Sequence, residues 1–402
     1  MPFKSYSYKT ALLFLITEGE HAMTAENFNL DYKIERKNSS FFLSASTSNG
    51  REVCHGTVNI VTSNLHDSQF KSMAIGGIAT DPEYRRKGLA KKLFMMMDDE
   101  IVKKEDCPIS YLHPFSFSYY RMFGYERVSD HKILEFPITA LDFVPRFSDL
   151  IHCSDNSFTP FLNEIYNKFA ENRNIMFKRD NNYKYPFDEN KIYMSYDKEN
   201  KPDGYIILES ELYYNINRLS GVNLHIHELV FTSPDSLLRL LGFIRMFEGE
   251  LDNVKIHDVA MAPEIEMTLR HYSHTKITIV PDIMARIHDV EKVFKEITYA
   301  ESRGTFTVKN KDSPKTPFSK NKTEGTWTVR YENGKALDVA KINDDSDYDL
   351  AIGISELTQT VFGYNTYGNL TAKYLQNIDI KKDCADFFKA FPSRPSGLFE
   401  HF

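Results

Sequence analysis

Residues 78–90 (IATDPEYRRKGLA) have the composition and spacing of an anion-binding turn. An apolar run leads into Arg85, Arg86 and Lys87, and Gly88 stands directly before a helical pattern. The first N–H groups of a helix have no intrahelical partner, and the helix dipole adds partial positive charge there. Gly88 would let a phosphate approach the backbone closely. The turn therefore predicts a phosphate site, although a solvated basic helix start has the same charge pattern.

Several strands must position this turn. Residues 41–47 and 52–62 have strand composition, with an Asn-Gly hairpin signal between them. Residues 72–80 form another apolar strand, in which Gly76 and Gly77 indicate a bulge or the close approach of another group. The turn thus lies between an interrupted strand and a helix.

Beyond residue 82 the apolar residues recur with the period of a helix, and strands and helices alternate through the rest of the chain. The polar, proline-containing segment 310–324 is predicted to be a loop. Further strands are predicted at 111–115, 191–196, 204–210, 224–231, 304–309, 326–331, 335–341 and 348–354, and helices at 117–123, 158–172, 235–247, 288–300, 355–362, 371–377 and 383–391.

Length and composition limit the class of protein. The 402 residues suggest two or three domains, and 42% apolar residues are enough for several cores. The net charge of −7 argues against a dedicated nucleic-acid binder and weakly favours cationic small molecules. The apolar run at 11–16 is too short to span a membrane and is predicted to be a helix of a soluble, cytoplasmic protein.

The residue types that usually bind metals show no ligand spacing. The four cysteines lie far apart without a C-x-x-C pair, so neither a disulfide framework nor a zinc site is predicted. His225 and His227 share one face of a predicted strand, but alternation with apolar residues explains them as solvent-facing positions. We therefore expect no metal.

Two motifs resemble those of the GNAT N-acetyltransferases, over residues 40–135. Residues 85–90 (RRKGLA) match the R/Q-x-x-G-x-G/A signature, and residues 117–125 (FSYYRMFGY) resemble the short helix that ends in a glycine beside the acyl-CoA thioester. The resemblance implies acetyl-CoA as co-substrate and one serine contact, at Ser116 or Ser118. It also implies a set of coenzyme-binding residues: Ile78 and Thr80 toward the pantetheine arm, and Arg85, Arg86, Gly88 and Leu89 around the pyrophosphate.

The whole chain resembles the Eis-type (enhanced intracellular survival) acetyltransferases. Residues 284–290 (MARIHDV) are similar to the junction of that family's second and third domains. The resemblance implies an α+β protein with two tandem GNAT-like domains, mixed sheets flanked by helices, and a C-terminal domain like sterol carrier protein 2. The corresponding boundaries are 1–145 for the catalytic domain, 146–288 for a degenerate second domain and 289–402 for the third. The family also implies a homo-oligomer, with a hexamer as the expected state.

The resemblance assigns two proton-transfer roles. Tyr120 would protonate the departing thiolate, although Tyr119 or Tyr120 could simply be a packing aromatic in a chain with 23 tyrosines. The carboxylate of the last residue, Phe402, would accept the proton of the amine. That role requires the last residues to enter the cleft of the first domain, and the alternative is an ordinary frayed terminus.

These expectations define the predicted function. The chain should transfer acetyl from acetyl-CoA to an amine of a cationic small molecule, such as an aminoglycoside or another polyamine, or to a lysine side chain. Residues 232–237 (TSPDSL) lack the basic run and glycine, and Asp235 would repel a phosphate, so we expect one coenzyme site per chain. The alternatives are a protein that senses acyl-CoA or binds lipid without turnover, and an assembly protein. The first 30 residues depart from the family opening and leave the acceptor undefined.

Overall fold

The computed structural model describes residues 29–215, 218–270, 274–344, 346–364 and 378–402. The helices predicted at 11–16 and 371–377 lie outside the described residues. Three sheets with flanking helices follow one another, so the α+β class with tandem mixed sheets is confirmed.

The described strands and helices have the following bounds. The strands are β1 Leu30–Lys37, β2 Ser40–Thr47, β3 Glu52–Leu65, β4 Ser68–Thr80, β5 Ile109–Leu112, β6 Glu126–Arg127, β7 Asp130–Pro137, β8 Ile151–Cys153, β9 Lys191–Tyr196, β10 Pro202–Asn215, β11 Arg218–Phe231, β12 Asn253–Ile256, β13 Lys276–Pro281, β14 Met284–Ile287, β15 Arg303–Lys311, β16 Gly325–Glu332, β17 Lys335–Ile342, β18 Leu350–Gly353 and β19 Asp379–Ile380. The helices are α1 Leu89–Met97, α2 Lys103–Glu105, α3 Phe117–Arg121, α4 Thr159–Ala170, α5 Pro234–Ile244, α6 Pro263–Thr268, α7 Val290–Glu296, α8 Ile354–Val361 and α9 Ala385–Ala390.

The first sheet has the strand order β1-β2-β3-β4-β5-β14-β6. Strands β4 and β5 are parallel, which requires the crossover that α1 provides. The helix packs on β2, β3 and β4. Its side chains Leu89, Leu93 and Met97 are buried with the helical period expected from the sequence, together with Phe94.

The second sheet, β13-β7-β12-β11-β10-β9-β8, repeats the parallel pairing with β11 and β12. Two strands are exchanged relative to the domain boundaries expected from the sequence. Strand β7 precedes residue 145 but pairs with β12 and β13 of the second sheet. Strand β14 precedes residue 288 but lies between β5 and β6 of the first. The first two domains therefore share strands and cannot be separated at residue 145.

The third sheet has the order β17-β16-β15-β18-β19. Its interior is filled by aromatic side chains in mutual contact, among them Phe294, Phe306, Tyr331 and Phe391. The likeness of this domain to sterol carrier protein 2 stays a prediction. No helix within the described ranges is long and apolar enough to cross a membrane.

Candidate active site

A bulge in β4 separates the end of this strand from its neighbour. Strands β4 and β5 pair only as far as Ile75 and Leu112, whereas β4 continues to Thr80. Its pairing with β3 shifts register at this point, and Gly77 has φ +60°. An extra residue in one strand bends that strand and interrupts its ladder. The backbone of residues 76–80 is thereby left unpaired on the β5 side, and this is the bulge expected from the glycine pair.

The basic turn that follows has the geometry of an anion site. Arg86 (φ +60°) and Gly88 (φ +81°) both have left-handed backbone conformations, and Arg85 Nε donates to Thr80 O at 3.1 Å. Gly88 is the N-cap of α1, so no side chain occupies the helix start, and a Cβ there would meet nothing within 4 Å. The first intrahelical bond runs from Lys92 N to Gly88 O. The N–H groups at the beginning of α1 therefore remain available for an anion.

A cavity of about 700 Å³ lies in front of this turn. All six residues predicted to bind the coenzyme line it, namely Ile78, Thr80, Arg85, Arg86, Gly88 and Leu89. Its described lining includes four basic side chains and no acidic one, while Phe115, Tyr119, Met122 and Phe123 give it an apolar wall. A cationic end, open backbone groups and an apolar wall fit the diphosphate and the pantetheine arm of acetyl-CoA.

Tyr120 lies on α3, whose N-cap Ser116 accepts a hydrogen bond from Tyr119 N at 3.4 Å. The Tyr120 side chain is 3% exposed, and its ring contacts those of Phe115 and Tyr119 at 5.3 and 5.2 Å. Burial raises the pKa of the Tyr120 hydroxyl, so the group keeps its proton at neutral pH. Tyr119 lines the cavity, whereas Tyr120 is not among its described lining residues. The hydroxyls of Ser116 and Ser118 lie 3.1 Å apart at the start of α3.

The last residue lies against the bulge. The terminal carboxyl of Phe402 is so close to Gly76 that a Cβ on this glycine would come within 3.0 Å of its carbon and oxygen. The Phe402 ring contacts His113 at 4.9 Å and Phe177 at 5.7 Å. The tail therefore lies against the first domain and is held by contacts, unlike a frayed terminus.

The second domain holds this tail by a buried ion cluster. Arg179 is 3% exposed and donates twice to Glu228 at 2.9 Å. Its Nε donates to Glu400 at 2.7 Å. Tyr166 donates to the second oxygen of Glu400 at 3.4 Å. The tail is thus fixed two residues before its end.

A second buried ion pair supports the end of α3. Arg286 donates to both carboxylate oxygens of Asp312, at 3.0 and 2.6 Å, and to Phe123 O at 2.8 Å. Gly124 (φ +83°) is required here because a Cβ would overlap the Arg286 guanidinium. Sequence reasoning missed both ionic groups. The one available signal is an arginine inside the apolar strand β14, since a buried cation needs a partner.

The corresponding helix start in the second domain is capped by its own side chains. Helix α5 begins with a capping box, in which Ser236 N donates to Ser233 Oγ and Ser233 N donates to Ser236 Oγ. Asp235 lies in its first turn. These contacts occupy the helix start that Gly88 leaves open in the first domain, and they support the prediction of one coenzyme site.

The histidines of the second sheet pair with neighbouring side chains. His225 bonds to Glu211 at 2.8 Å and to His257 at 3.1 Å, and His227 bonds to Glu209 at 3.1 Å. Over the described ranges no group of three or more potential ligands could hold a metal ion.

Comparison with known proteins identifies the class. Residues 19–128 and residues 173–287 each match a family described as an acetyltransferase (GNAT) domain, and together they cover more than half of the chain. The chain is therefore an N-acetyltransferase of the GNAT superfamily with two such domains. A search of curated proteins gave no significant match.

The solved structures define the architecture more closely. The chain is similar to a GCN5-related N-acetyltransferase from Anabaena variabilis (20% identity, TM-score 0.74, 90% and 89% of the two chains covered). It is also similar to one from Kribbella flavida (16%, 0.69, 90% and 88%) and to Eis1 from Mycobacterium abscessus (15%, 0.71, 90% and 91%). The chain therefore shares the fold of these GNAT acetyltransferases, Eis1 among them.

Proposed function

We propose that this enzyme transfers the acetyl group of acetyl-CoA directly to an amine of a cationic small molecule, such as an aminoglycoside or another polyamine, or of a lysine side chain. One observation carries the proposal: the Phe402 carboxyl lies on Gly76, two residues from Ile78 in the cavity wall. Two strand residues span about 7 Å, so a carboxylate lies within reach of an amine at the cavity mouth.

The proton roles follow from the chemistry of the two groups. Acetyl-CoA supplies the acetyl group as a thioester: a C–N bond to the amine forms and the C–S bond breaks. The Phe402 carboxylate accepts the proton that the attacking nitrogen loses. The Tyr120 hydroxyl supplies a proton to the sulfur and recovers one from solvent. Because burial raises the pKa of Tyr120, its acid form persists at the pH where an amine is unprotonated.

Charge supports a cationic acceptor. The chain carries a net charge of −7. Near the tail, Asp282 bonds to His113 at 2.9 Å and Asp258 lies beside His131. Together with the terminal carboxylate, these groups favour cations over anions. The third-domain interior is filled by aromatic rings, which gives a lipid-carrying role no support.

The test is thiol release from acetyl-CoA against a panel of aminoglycosides and small polyamines, with Phe402 as an untagged last residue. Release that depends on a polyamine is the expected result. A matched preparation with one added glycine after Phe402 moves the carboxylate by about 3.5 Å and should lose most of its turnover while it still binds coenzyme. Coenzyme binding without turnover across the panel would instead favour an acyl-CoA sensor.

A further inference from the structure

The loop of residues 312–323, between β15 and β16 of the third domain, is fastened to the first domain. Ser313 Oγ donates to Met122 O at 2.6 Å, and Thr316 Oγ1 donates to Phe123 O at 3.4 Å. Both acceptors belong to residues that line the coenzyme cavity. The loop therefore runs along the α3 side of that cavity.

The first half of the loop is anchored at both of its ends, by Asp312 and by Phe318. Asp312 at its beginning is the partner of Arg286, and both side chains of this ion pair are fully buried. Phe318, 4% exposed, packs edge-on against Phe94 of α1 at 5.9 Å. The backbone between these anchors has little freedom to leave the cavity.

Lys315 lies between these anchors and lines the cavity. It is exposed, and no described residue forms a hydrogen bond or ion pair with it. Other lysines of the loop differ, since Lys320 pairs with Glu324 at 3.1 Å and Lys322 with Asp289 at 2.6 Å. Lys315 is therefore a cation that the fold directs to the cavity without a protein partner.

The cavity thus has two cationic centres. Arg85, Arg86 and Lys91, together with the start of α1, form one, and Lys315 forms the other, in the loop that is bonded to Met122 and Phe123. Coenzyme A carries two separate phosphate groups, a diphosphate and a 3′-phosphate. The helix start provides the backbone N–H groups that suit the diphosphate. We propose that Lys315 of the third domain binds the 3′-phosphate of the coenzyme and so completes the coenzyme site across a domain boundary.

This assignment rests on the proposed use of acetyl-CoA, and it is tested by binding rather than turnover. Calorimetry should measure the Kd of coenzyme A and of 3′-dephospho-coenzyme A for the full chain, for Lys315→Ala and for Lys315→Arg. A partly exposed ion pair with a phosphate predicts that Lys315→Ala weakens coenzyme A binding about three- to tenfold. Binding of the dephospho compound should change less than twofold, and Lys315→Arg should bind both ligands like the parent.

Lys320→Ala is the matched control, because it removes the same charge from the same loop away from the cavity. It should leave both Kd values unchanged. If Lys315→Ala raised both Kd values equally, the assignment to the 3′-phosphate would be wrong. If it changed neither Kd, Lys315 would not belong to the coenzyme site. Failure of the parent chain to bind coenzyme A would instead refute the coenzyme site itself.

A second measurement reports on the loop directly. Amide hydrogens of residues 312–323 should exchange more slowly when coenzyme A is bound, and this extra protection should be absent with the dephospho compound. Identical protection with the two ligands would contradict the proposal.

Discussion

Gly76→Ala is the sharpest test of the position of the terminal carboxyl. Gly76 is buried and, unlike Gly77, does not have a positive φ, so alanine fits its backbone conformation. The added Cβ would come within 3.0 Å of the carbon and oxygen of the Phe402 carboxyl, where ordinary contact begins at 3.4 Å. Because these are main-chain atoms, no rotamer change relieves the overlap. The tail must move away by about 1 Å, and a misplacement of that size can cost about 10²-fold in rate.

We therefore expect the kcat of Gly76→Ala to fall about 10²-fold, with the Kd for coenzyme changed less than threefold. Thiol release under saturating acceptor measures the first quantity, and calorimetry measures the second. The melting temperature should change by only a few degrees, since Phe402 is the last residue and can lift without unfolding the sheet.

A double-mutant cycle separates this mechanism from a general effect on the strand. The second variant lacks Phe402 and should itself lose most of its kcat. In the shortened chain no carboxyl lies against Gly76, so Gly76→Ala should lower kcat little further. A kcat for Gly76→Ala equal to that of the parent, or full additivity of the two losses, would refute the proposed contact.

Three further outcomes test the acid, the tail anchor and a buried histidine. Tyr120→Phe should lower kcat 10²-fold or more with an unchanged coenzyme Kd. Because burial raises the pKa of Tyr120, the kcat of the parent should not fall through ionisation of this group between pH 7 and 10. A fall in that range would indicate another acid. Arg179→Met leaves the buried Glu400 carboxylate without its cation and should lower the unfolding free energy, measured in urea, by about 3–5 kcal/mol. The kcat, measured by thiol release, should fall as well. A kcat equal to that of the parent would mean that the Arg179–Glu400 pair does not position the tail. Burial lowers the pKa of His66 to about 4 in the folded chain, where its Nε2 bonds to Val361 O. As pH falls, the imidazole is therefore protonated in the unfolded state before it is protonated in the folded state. About 3 kcal/mol of the unfolding free energy should be lost between pH 6.5 and pH 4. His66→Gln should show a flatter dependence in urea unfolding across that range, and an equal slope would exclude His66 as its source.

The geometry of the basic turn was predictable because its determinants are local. The end of β4, the basic turn, Gly88 and the start of α1 follow one another within residues 78–90, so this part of the cavity wall needs no long-range information. The bulge at Gly77 was visible for the same reason, since a positive φ in a strand selects glycine. Local pattern also placed most of the element centres, with bounds that differ by a few residues.

Contacts between distant segments could not be predicted in this way. Nothing in the composition of strands β7 and β14 says that each pairs in the other domain's sheet. Lys315 lies in a polar loop with several other lysines, and only the fold shows that it alone among them faces the cavity. The partners Arg179 and Glu400 are 221 residues apart. Such pairs depend on the packing of three domains rather than on spacing.

The two GNAT domains divide the work that a single domain would have to do. The first keeps an uncapped helix start at Gly88, which suits a phosphate and costs some helix stability. The second closes its equivalent with the Ser233 capping box, so it gains that stability and loses the anion site. It contributes instead the buried Arg179 that holds the tail beside the bulge of the first domain. Because the tail belongs to the third domain, catalysis as proposed needs all three domains assembled, and the strands that the first two domains share keep those two together.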